Sequence, residues 1–131
     1  MKFHLILKAY LLLIFIIGCK PANELTMERG VYFYQAENYS SAADQFNQVI
    51  LSYSSNLSSL SIYDIEILAH AYQQLSLCQA KLAQKTNNQV SKNMYYSKAI
   101  ENIKKAESIA IKQNKREEYR KTHLGLIHAS K

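Results

Sequence analysis

Histidine and cysteine are the side chains of this sequence most capable of binding metal or acting as nucleophiles. Their spacing favours neither a metal site nor a nucleophilic site. His70, His123 and His128 do not form a pair four residues apart around a glutamate, and no Cys/His group has zinc spacing. No glycine-rich phosphate loop and no Ser/His/Asp arrangement stands out. Cys78 falls on an apolar helix face, which is typical of a small buried residue. We therefore expect a protein that is not an enzyme and that binds no metal and no cofactor.

Cys19 is different, because a charged and then apolar segment comes before it. Lys2 and Lys8 precede the unbroken nine-residue apolar run at 9–17. A transmembrane helix needs roughly 20 apolar residues, so this run fits the hydrophobic part of an export signal. The alternative is an uncleaved signal anchor with a buried cysteine, which the short run and the interruption at Lys8 disfavour.

The residues Ile16, Ile17, Gly18 and Cys19 resemble the bacterial lipobox. In that motif the cysteine thiol takes up a diacylglyceryl group, and cleavage at its amino side leaves an acylated N-terminus. The resemblance implies a lipoprotein signal peptide over 1–18, a fatty-acylated (palmitate-bearing) Cys19, and a lipidated tether over 19–23. Two or three acyl chains hold a protein far more firmly than a single reversible one.

The residue after the cysteine, Lys20, bears on where the anchored protein goes. It is not the aspartate that commonly retains lipoproteins in the inner membrane of two-membrane bacteria. By resemblance to that sorting rule, we expect lipid attachment to the cell outer membrane, at its periplasmic face. The tether is short, so the first helix is expected close to the lipid surface.

Composition favours a single helical domain after this segment. The chain has 131 residues, of which 48% are hydrophobic, with only three glycines and one proline. This is ample for one core, and no Val/Thr-rich alternating runs indicate strands. An all-α domain over 24–131 is therefore predicted.

The stretch at 27–53 predicts a helical hairpin. After a turn at Glu37 and Asn38, apolar residues recur at steps of three and four from Tyr39 to Tyr53. Before the turn, Gly30 lies on a second helical face, where its small size lets a partner helix approach closely. Two such helices form an αα-hairpin.

The order of small and aromatic residues in this hairpin resembles the tetratricopeptide (TPR) repeat. The resemblance is carried by three sets of residues: Gly30, Phe33, Tyr39, Ala42, Phe46 and Val49; Ile65, Leu68, Ala69 and Tyr72; and Tyr96, Ala99, Ile103 and Ala106. The sequence departs from the family at Thr26 and Ser54, and by an 18-residue excess between Ala69 and Tyr96. The resemblance implies a TPR-like α-solenoid of about two and a half helical hairpins, or five helices.

Capping and turn residues set the expected helix limits. We expect helices from Asn23 or Glu24 to Glu37, from Ser40 or Ser41 to Tyr53, from Ser61 to about Lys85, from about Lys92 to Gln113, and from Arg116 to Ala129. Asn23 is the expected N-cap of the first helix, and capping boxes are expected at Ser41 with Asp44 and at Ser61 with Asp64. In the serine-rich loop at 54–61, Leu57 and Leu60 are expected to fold back onto the hairpin. In the last helix, Tyr119, Leu124, Gly125 and Ile127 look like the start of a third repeat.

The resemblance also implies where a partner binds, since the first helix of each TPR repeat lines a concave groove. Transferred residue by residue, the groove comprises Met27, Val31, Tyr34, Gln35, Tyr63, Glu66, His70, Gln73 and Gln74, extended by Tyr119 and Leu126. Such a surface suits an extended peptide or a partner helix. The alternative is that Val31 and Tyr34 are plain core residues or are covered by the loop.

Two functional hypotheses follow. The first is a membrane-anchored, non-catalytic adaptor lipoprotein that binds an envelope protein or peptide, as part of an outer-membrane assembly, pilus or secretion system. The second rests on charge, because residues 92–131 carry a net +6 whereas 19–91 carry −2. Basic C-terminal helices can bind anionic envelope polymers or lipid head groups, although a solvated helix face is the commoner meaning of such charge. An export signal disfavours nucleic acid as a partner.

Overall fold

The computed structural model describes residues 20–53 and 57–131, and over these ranges the protein is all-helical with no strand. The helices are α1 (Ala22–Gln35), α2 (Tyr39–Tyr53), α3 (Ile62–Lys85), α4 (Gln89–Ile109) and α5 (Gln113–Ala129). A single 3₁₀ turn, Leu57–Ser59, comes before α3. In the same ranges no helix has the length and apolar content needed to cross a bilayer. The predicted signal peptide and the predicted acylation at Cys19 lie outside the described residues.

Successive helices pack against one another as hairpins. Each of α1 to α4 packs against the next helix in the chain, and α1 also contacts α3. This arrangement confirms the predicted all-α, solenoid-like stack of helical hairpins. Turns of only three residues join α1 to α2, α3 to α4, and α4 to α5. Such short turns make the two helices of each pair antiparallel neighbours.

Two apolar cores lie along the stack. The first core, between α1, α2 and α3, comprises Met27, Ala42, Phe46, Val49, Ile50, Leu68, Ala71, Leu75 and Cys78. The second core, between α3, α4 and α5, comprises Ala69, Ala80, Ala83, Tyr96, Ala99, Ile103, Ala106, Ala110, Tyr119 and Leu126. Helix α3 contributes to both, because its 24 residues carry apolar side chains around much of its circumference. It is the central element of the fold.

The predicted close approach at Gly30 is confirmed. Phe46, which is fully buried on α2, lies against the backbone of α1 at this residue. A Cβ placed on Gly30 would come within 2.5 Å of Phe46 Cε1. Only glycine leaves room for the ring at this crossing.

The α1–α2 turn depends on a left-handed residue. Glu37 has a φ of 60°, Glu37 N–H donates to the Tyr34 carbonyl, and Asn38 N–H donates to the Phe33 carbonyl. This is the Schellman pattern that ends a helix, with Glu37 in the position where glycine is usual. The turn reverses the chain so that α2 packs back on α1.

Side-chain caps begin three of the helices. Ser61 Oγ accepts a hydrogen bond of 3.1 Å from Asp64 N–H and donates one of 2.8 Å to Asp64 Oδ2, so the predicted cap of α3 is confirmed. Helix α4 is capped by Asn88, whose Oδ1 accepts from Ser91 N–H at 2.9 Å. Two other predictions of caps were wrong.

The cap of α2 is Asn38 rather than Ser41, since Asn38 Oδ1 accepts from Ser41 N–H. Asn23 does not cap α1, which begins one residue earlier, after Pro21. Proline at that position fixes its own φ, and the Asn23 side chain instead accepts a hydrogen bond from Ser52 on α2. Helices α4 and α5 both begin three residues earlier than predicted, and α4 ends at Ile109 rather than Gln113.

Three apolar or small residues lie elsewhere than predicted. Leu60 is half-buried against the first core, but Leu57 is 48% exposed and does not fold back onto the hairpin. On α5, Leu124 is 60% exposed and Gly125 has open space around it. The buried face of α5 is therefore formed by Tyr119 and Leu126, which are separated by two helical turns.

Candidate functional site

Two depressions lie side by side across the odd-numbered helices. One is lined by α1 and α3, through Glu24, Met27, Glu28, Tyr63, Ile67 and His70. The other, of about 220 Å³, is lined by α3, the α4–α5 turn and α5, through Tyr63, Glu66, Ile67, Ala69, His70, Ala110, Ile111, Lys112, Lys115 and Tyr119. Because Tyr63, Ile67 and His70 border both, the two depressions adjoin along α3, and we call them together the groove.

The floor of the groove is apolar and rigid. Met27 on the α1 side, and Ala69, Ala110 and Tyr119 on the α5 side, are buried parts of the two cores. Burial raises the pKa of the Tyr119 hydroxyl to about 12, so it stays protonated. Tyr63 differs from these residues, since 51% of it is exposed and its ring is free to contact a ligand.

Charged groups border the groove on the α5 side, and they are paired. Lys112 Nζ lies 3.0 Å from Glu66 Oε1, although this buried oxygen accepts no hydrogen bond of good geometry within the described ranges. Lys115 Nζ donates to Glu118 Oε2 at 2.8 Å, which lowers the pKa of Glu118. Gln73, buried between the helices, donates to the other Glu118 oxygen at 3.1 Å. The Gln73–Glu118 bond joins α5 to α3, and the Lys112–Glu66 pair joins the α4–α5 turn to α3.

His70 lies where the two depressions meet. Its side chain reaches solvent, but neighbouring groups displace enough water that desolvation lowers its pKa, and the Lys115 charge lowers it further. The lowered pKa favours the neutral ring at pH 7. Gln74 Nε2 lies 3.1 Å from His70 Nε2, and which of the two atoms donates depends on the His70 tautomer.

The predicted groove residues fall into three groups. Met27, Tyr63, Glu66 and His70 line the groove, while Gln73 and Gln74 lie beside it in the hydrogen bonds described above. Tyr119 also lines it, but Leu126 is buried in the second core and does not extend it.

Val31, Tyr34 and Gln35 are placed differently. Val31 and Tyr34 pack against the first core, as the alternative interpretation of these two residues had it. The Tyr34 ring meets Tyr39 edge to face at 5.1 Å between centroids, and desolvation raises the pKa of its hydroxyl. Gln35 is exposed in the last turn of α1, next to the α1–α2 turn.

Sequence reasoning missed the α4–α5 turn as part of the site. Ala110, Ile111 and Lys112 reach the groove because α4 ends four residues earlier than the apolar pattern indicated. Helical periodicity carries no information about where a turn folds. The charge pattern did hold one signal, the concentration of lysine and arginine from 112 onward.

Within residues 20–53 and 57–131, no three His, Cys, Asp or Glu side chains are placed to share a metal ion. Cys78 is fully buried, and desolvation raises the pKa of its thiol to about 12, so it is not a nucleophile at neutral pH. The arrangement is suited to holding an extended or helical ligand by contact, with an apolar floor and hydrogen-bonding groups at its edges.

Comparison of the chain with protein-family models, with curated proteins and with solved structures gave no match.

Proposed function

We propose that this protein is a lipid-anchored, non-catalytic adaptor of the bacterial envelope that holds a partner protein or peptide in the groove. The main observation in support is that α1, α3 and α5 line a groove with an apolar floor, in which Tyr63 and His70 are exposed. The TPR-like order of residues supports the same use of these helices. The lipobox resemblance at Cys19 supports attachment to the outer membrane.

The chemistry of the groove favours a ligand with apolar side chains on one face. Met27, Ile67 and Tyr119 offer apolar surface, while the exposed His70 imidazole offers a hydrogen-bonding group to the backbone of a bound chain. Aromatic side chains such as Tyr63 often supply a large share of binding energy at interfaces. An extended segment or one face of an amphipathic helix meets these requirements.

Affinity capture with the membrane-anchored protein tests this proposal. We expect Tyr63→Ala and His70→Ala each to reduce recovery of the partner about tenfold, which is typical of truncating an anchoring side chain. Leu124→Ala is the matched control, because Leu124 is exposed on the outer face of α5 and we expect recovery to be unchanged. Circular dichroism of each variant verifies that the fold is retained.

The same assay at rising salt separates this proposal from the binding of anionic polymers by the basic helices. Several of the cations concerned are already paired with glutamates: Lys105 with Glu101, Lys112 with Glu66, Lys115 with Glu118, and Arg120 with Glu107. Binding in the groove persists from low to moderate salt and fails in the Tyr63 variant. Binding that is lost with salt and is insensitive to Tyr63 and His70 would contradict the adaptor proposal and favour charge.

A further inference from the structure

The end of the stack at which the chain enters α1 brings together the termini of α1, α2 and α3 and the α4–α5 turn. Ser52 near the end of α2 donates to Asn23 in the first turn of α1, at 3.0 Å. Tyr53 OH donates to Asp64 in the first turn of α3, at 2.9 Å. The α4–α5 turn reaches the same place, where Lys112 pairs with α3. We call this the entry end; the α3–α4 turn lies at the opposite end.

Large aliphatic side chains are exposed at the entry end. Ile62, the first residue of α3, is 64% exposed; Leu57, in the 3₁₀ turn just before it, is 48% exposed; and Ile111, in the α4–α5 turn, is 46% exposed. Single exposed apolar residues are common on soluble proteins. Three at the same end of the stack offer apolar area that gains free energy by leaving water.

The charges at the entry end do not form a strong field of one sign. Lys20 pairs with Glu28, and Lys112 and Lys115 pair with glutamates. Asp64 accepts hydrogen bonds from Ser61 and Tyr53, which lower its pKa and keep it as a bound carboxylate. A surface with its charges mutually paired is held to its target by apolar contact and not by electrostatic attraction to anionic groups.

The chain before α1 indicates what covers this surface. Only Lys20 and Pro21 separate Cys19 from Ala22, and three residue steps span at most about 10 Å. The residues before Cys19 include the apolar run at 9–17. Whether acyl chains on Cys19 or the apolar run itself enters the lipid, the short connection keeps the entry end beside the bilayer.

We infer that the entry end of the helical stack contacts the bilayer, with Leu57, Ile62 and Ile111 inserted among the lipid head groups and upper acyl chains. Residues at this depth add apolar contact to the anchor and fix the orientation of the protein on the membrane. The opposite end then lies one length of α3 away, about 36 Å for its 24 residues. The inference rests on the membrane attachment in the proposed function, but it does not depend on what the groove binds.

Tryptophan fluorescence in the full-length, membrane-attached protein tests this inference, because the chain contains no tryptophan of its own. Single variants Ile62→Trp and Ile111→Trp are placed in phosphatidylcholine vesicles that carry brominated acyl chains. Val90→Trp is the control, since Val90 is 79% exposed in the first turn of α4, at the opposite end. Flotation shows that each variant is attached, and circular dichroism shows that it is folded.

We expect several-fold stronger bromine quenching and a blue-shifted emission for residues 62 and 111 relative to residue 90. Equal, weak quenching at all three positions in protein that floats with the vesicles would overturn end-on contact and leave the attachment itself intact. Quenching that needs anionic lipid would overturn the apolar basis of the contact. Failure to float would contradict membrane attachment and this inference together.

Discussion

Gly30 and Gly125 show how the same residue type has opposite roles in this molecule. A Cβ on Gly30 would meet the buried Phe46 ring, whereas one on Gly125 would meet nothing within 4 Å. Alanine is favoured over glycine in a helix by about 1 kcal/mol at either position. Only at Gly30 is that gain opposed, by overpacking that costs about 1–3 kcal/mol.

We therefore predict that Gly30→Ala lowers the free energy of unfolding by up to about 2 kcal/mol, the net of these two effects. Gly125→Ala serves as the control and should raise it by about 1 kcal/mol. Urea denaturation followed by circular dichroism measures both. A stabilised Gly30→Ala variant would mean that α1 and α2 do not cross as closely as described.

The carboxylate of Glu107 contributes stability that depends on pH. Arg120 Nε donates to it at 2.8 Å and His123 Nδ1 lies 3.2 Å away; the hydrogen bond from Arg120 is the main reason that its pKa lies below the ordinary value of 4.5. A carboxyl whose folded pKa is lowered stabilises the fold above its unfolded pKa. That contribution is lost as the pH falls through the folded pKa.

We predict that Glu107→Gln destabilises the protein at pH 7 and that the difference from the wild type is smaller at about pH 3, because protonation of Glu107 removes the contribution of its charge. Glu101→Gln is the control, because Glu101 pairs with Lys105 on the exposed face of α4 and should change stability less. Urea denaturation at the two pH values measures these differences. A loss of stability that is the same at both pH values would show that the charge of Glu107 is not what matters.

The positions of some single residues could be predicted from the sequence, and those of others could not. Gly30 could be predicted as a close contact because its apolar neighbours follow helical spacing on both sides of a turn. Leu124 fitted the start of a third repeat in the sequence but is exposed in the structure, since adjacent apolar positions on α5 lie on different faces and the buried apolar face comprises Tyr119 and Leu126. The repeat pattern of Val31 and Tyr34 was compatible with a place in the core and with a place in the groove. Only their packing against the first core decides between the two.

At the scale of elements, the helix starts depend on which nearby side chain reaches the free N–H groups. Ser61 was predictable because a polar loop precedes it and Asp64 follows it. At α2, Asn38 and Ser41 compete for the same role, and the Schellman turn at Glu37 places Asn38 closer to the free N–H groups. Pattern alone does not decide between two capping residues three positions apart.

The cap of α4 offers a direct test at this scale. We predict that Asn88→Ala lowers the free energy of unfolding by about 1 kcal/mol, because the Ser91 N–H loses its acceptor. Asn87→Ala is the matched control, since Asn87 is the same residue type, is exposed and lies just outside the cap. Its effect should be close to zero in the same denaturation experiment. Equal effects of the two variants would contradict the assignment of Asn88 as the cap.

At the scale of the whole molecule, the groove and the entry end adjoin at the α4–α5 turn, because Ile111 and Lys112 belong to both. The groove crosses α1, α3 and α5, whereas the entry end collects helix termini where the chain enters α1. The all-α stack and several residues of the groove were predictable from periodicity and from the TPR-like pattern. The contribution of the α4–α5 turn was not, because a turn is positioned by the cores on either side of it and not by its own sequence.

A partner held in the groove must contact α1, α3 and α5 together. The most direct measurement is photo-cross-linking in cells from the exposed groove positions Glu28, Tyr63 and Lys115, one at a time. Met94 on α4 and Leu124 on the outer face of α5 are controls of comparable exposure. We expect the three groove positions to cross-link to the same protein, through one segment of it, and the control positions not to cross-link to it. Capture from Met94 or Leu124, with none from the groove, would contradict it.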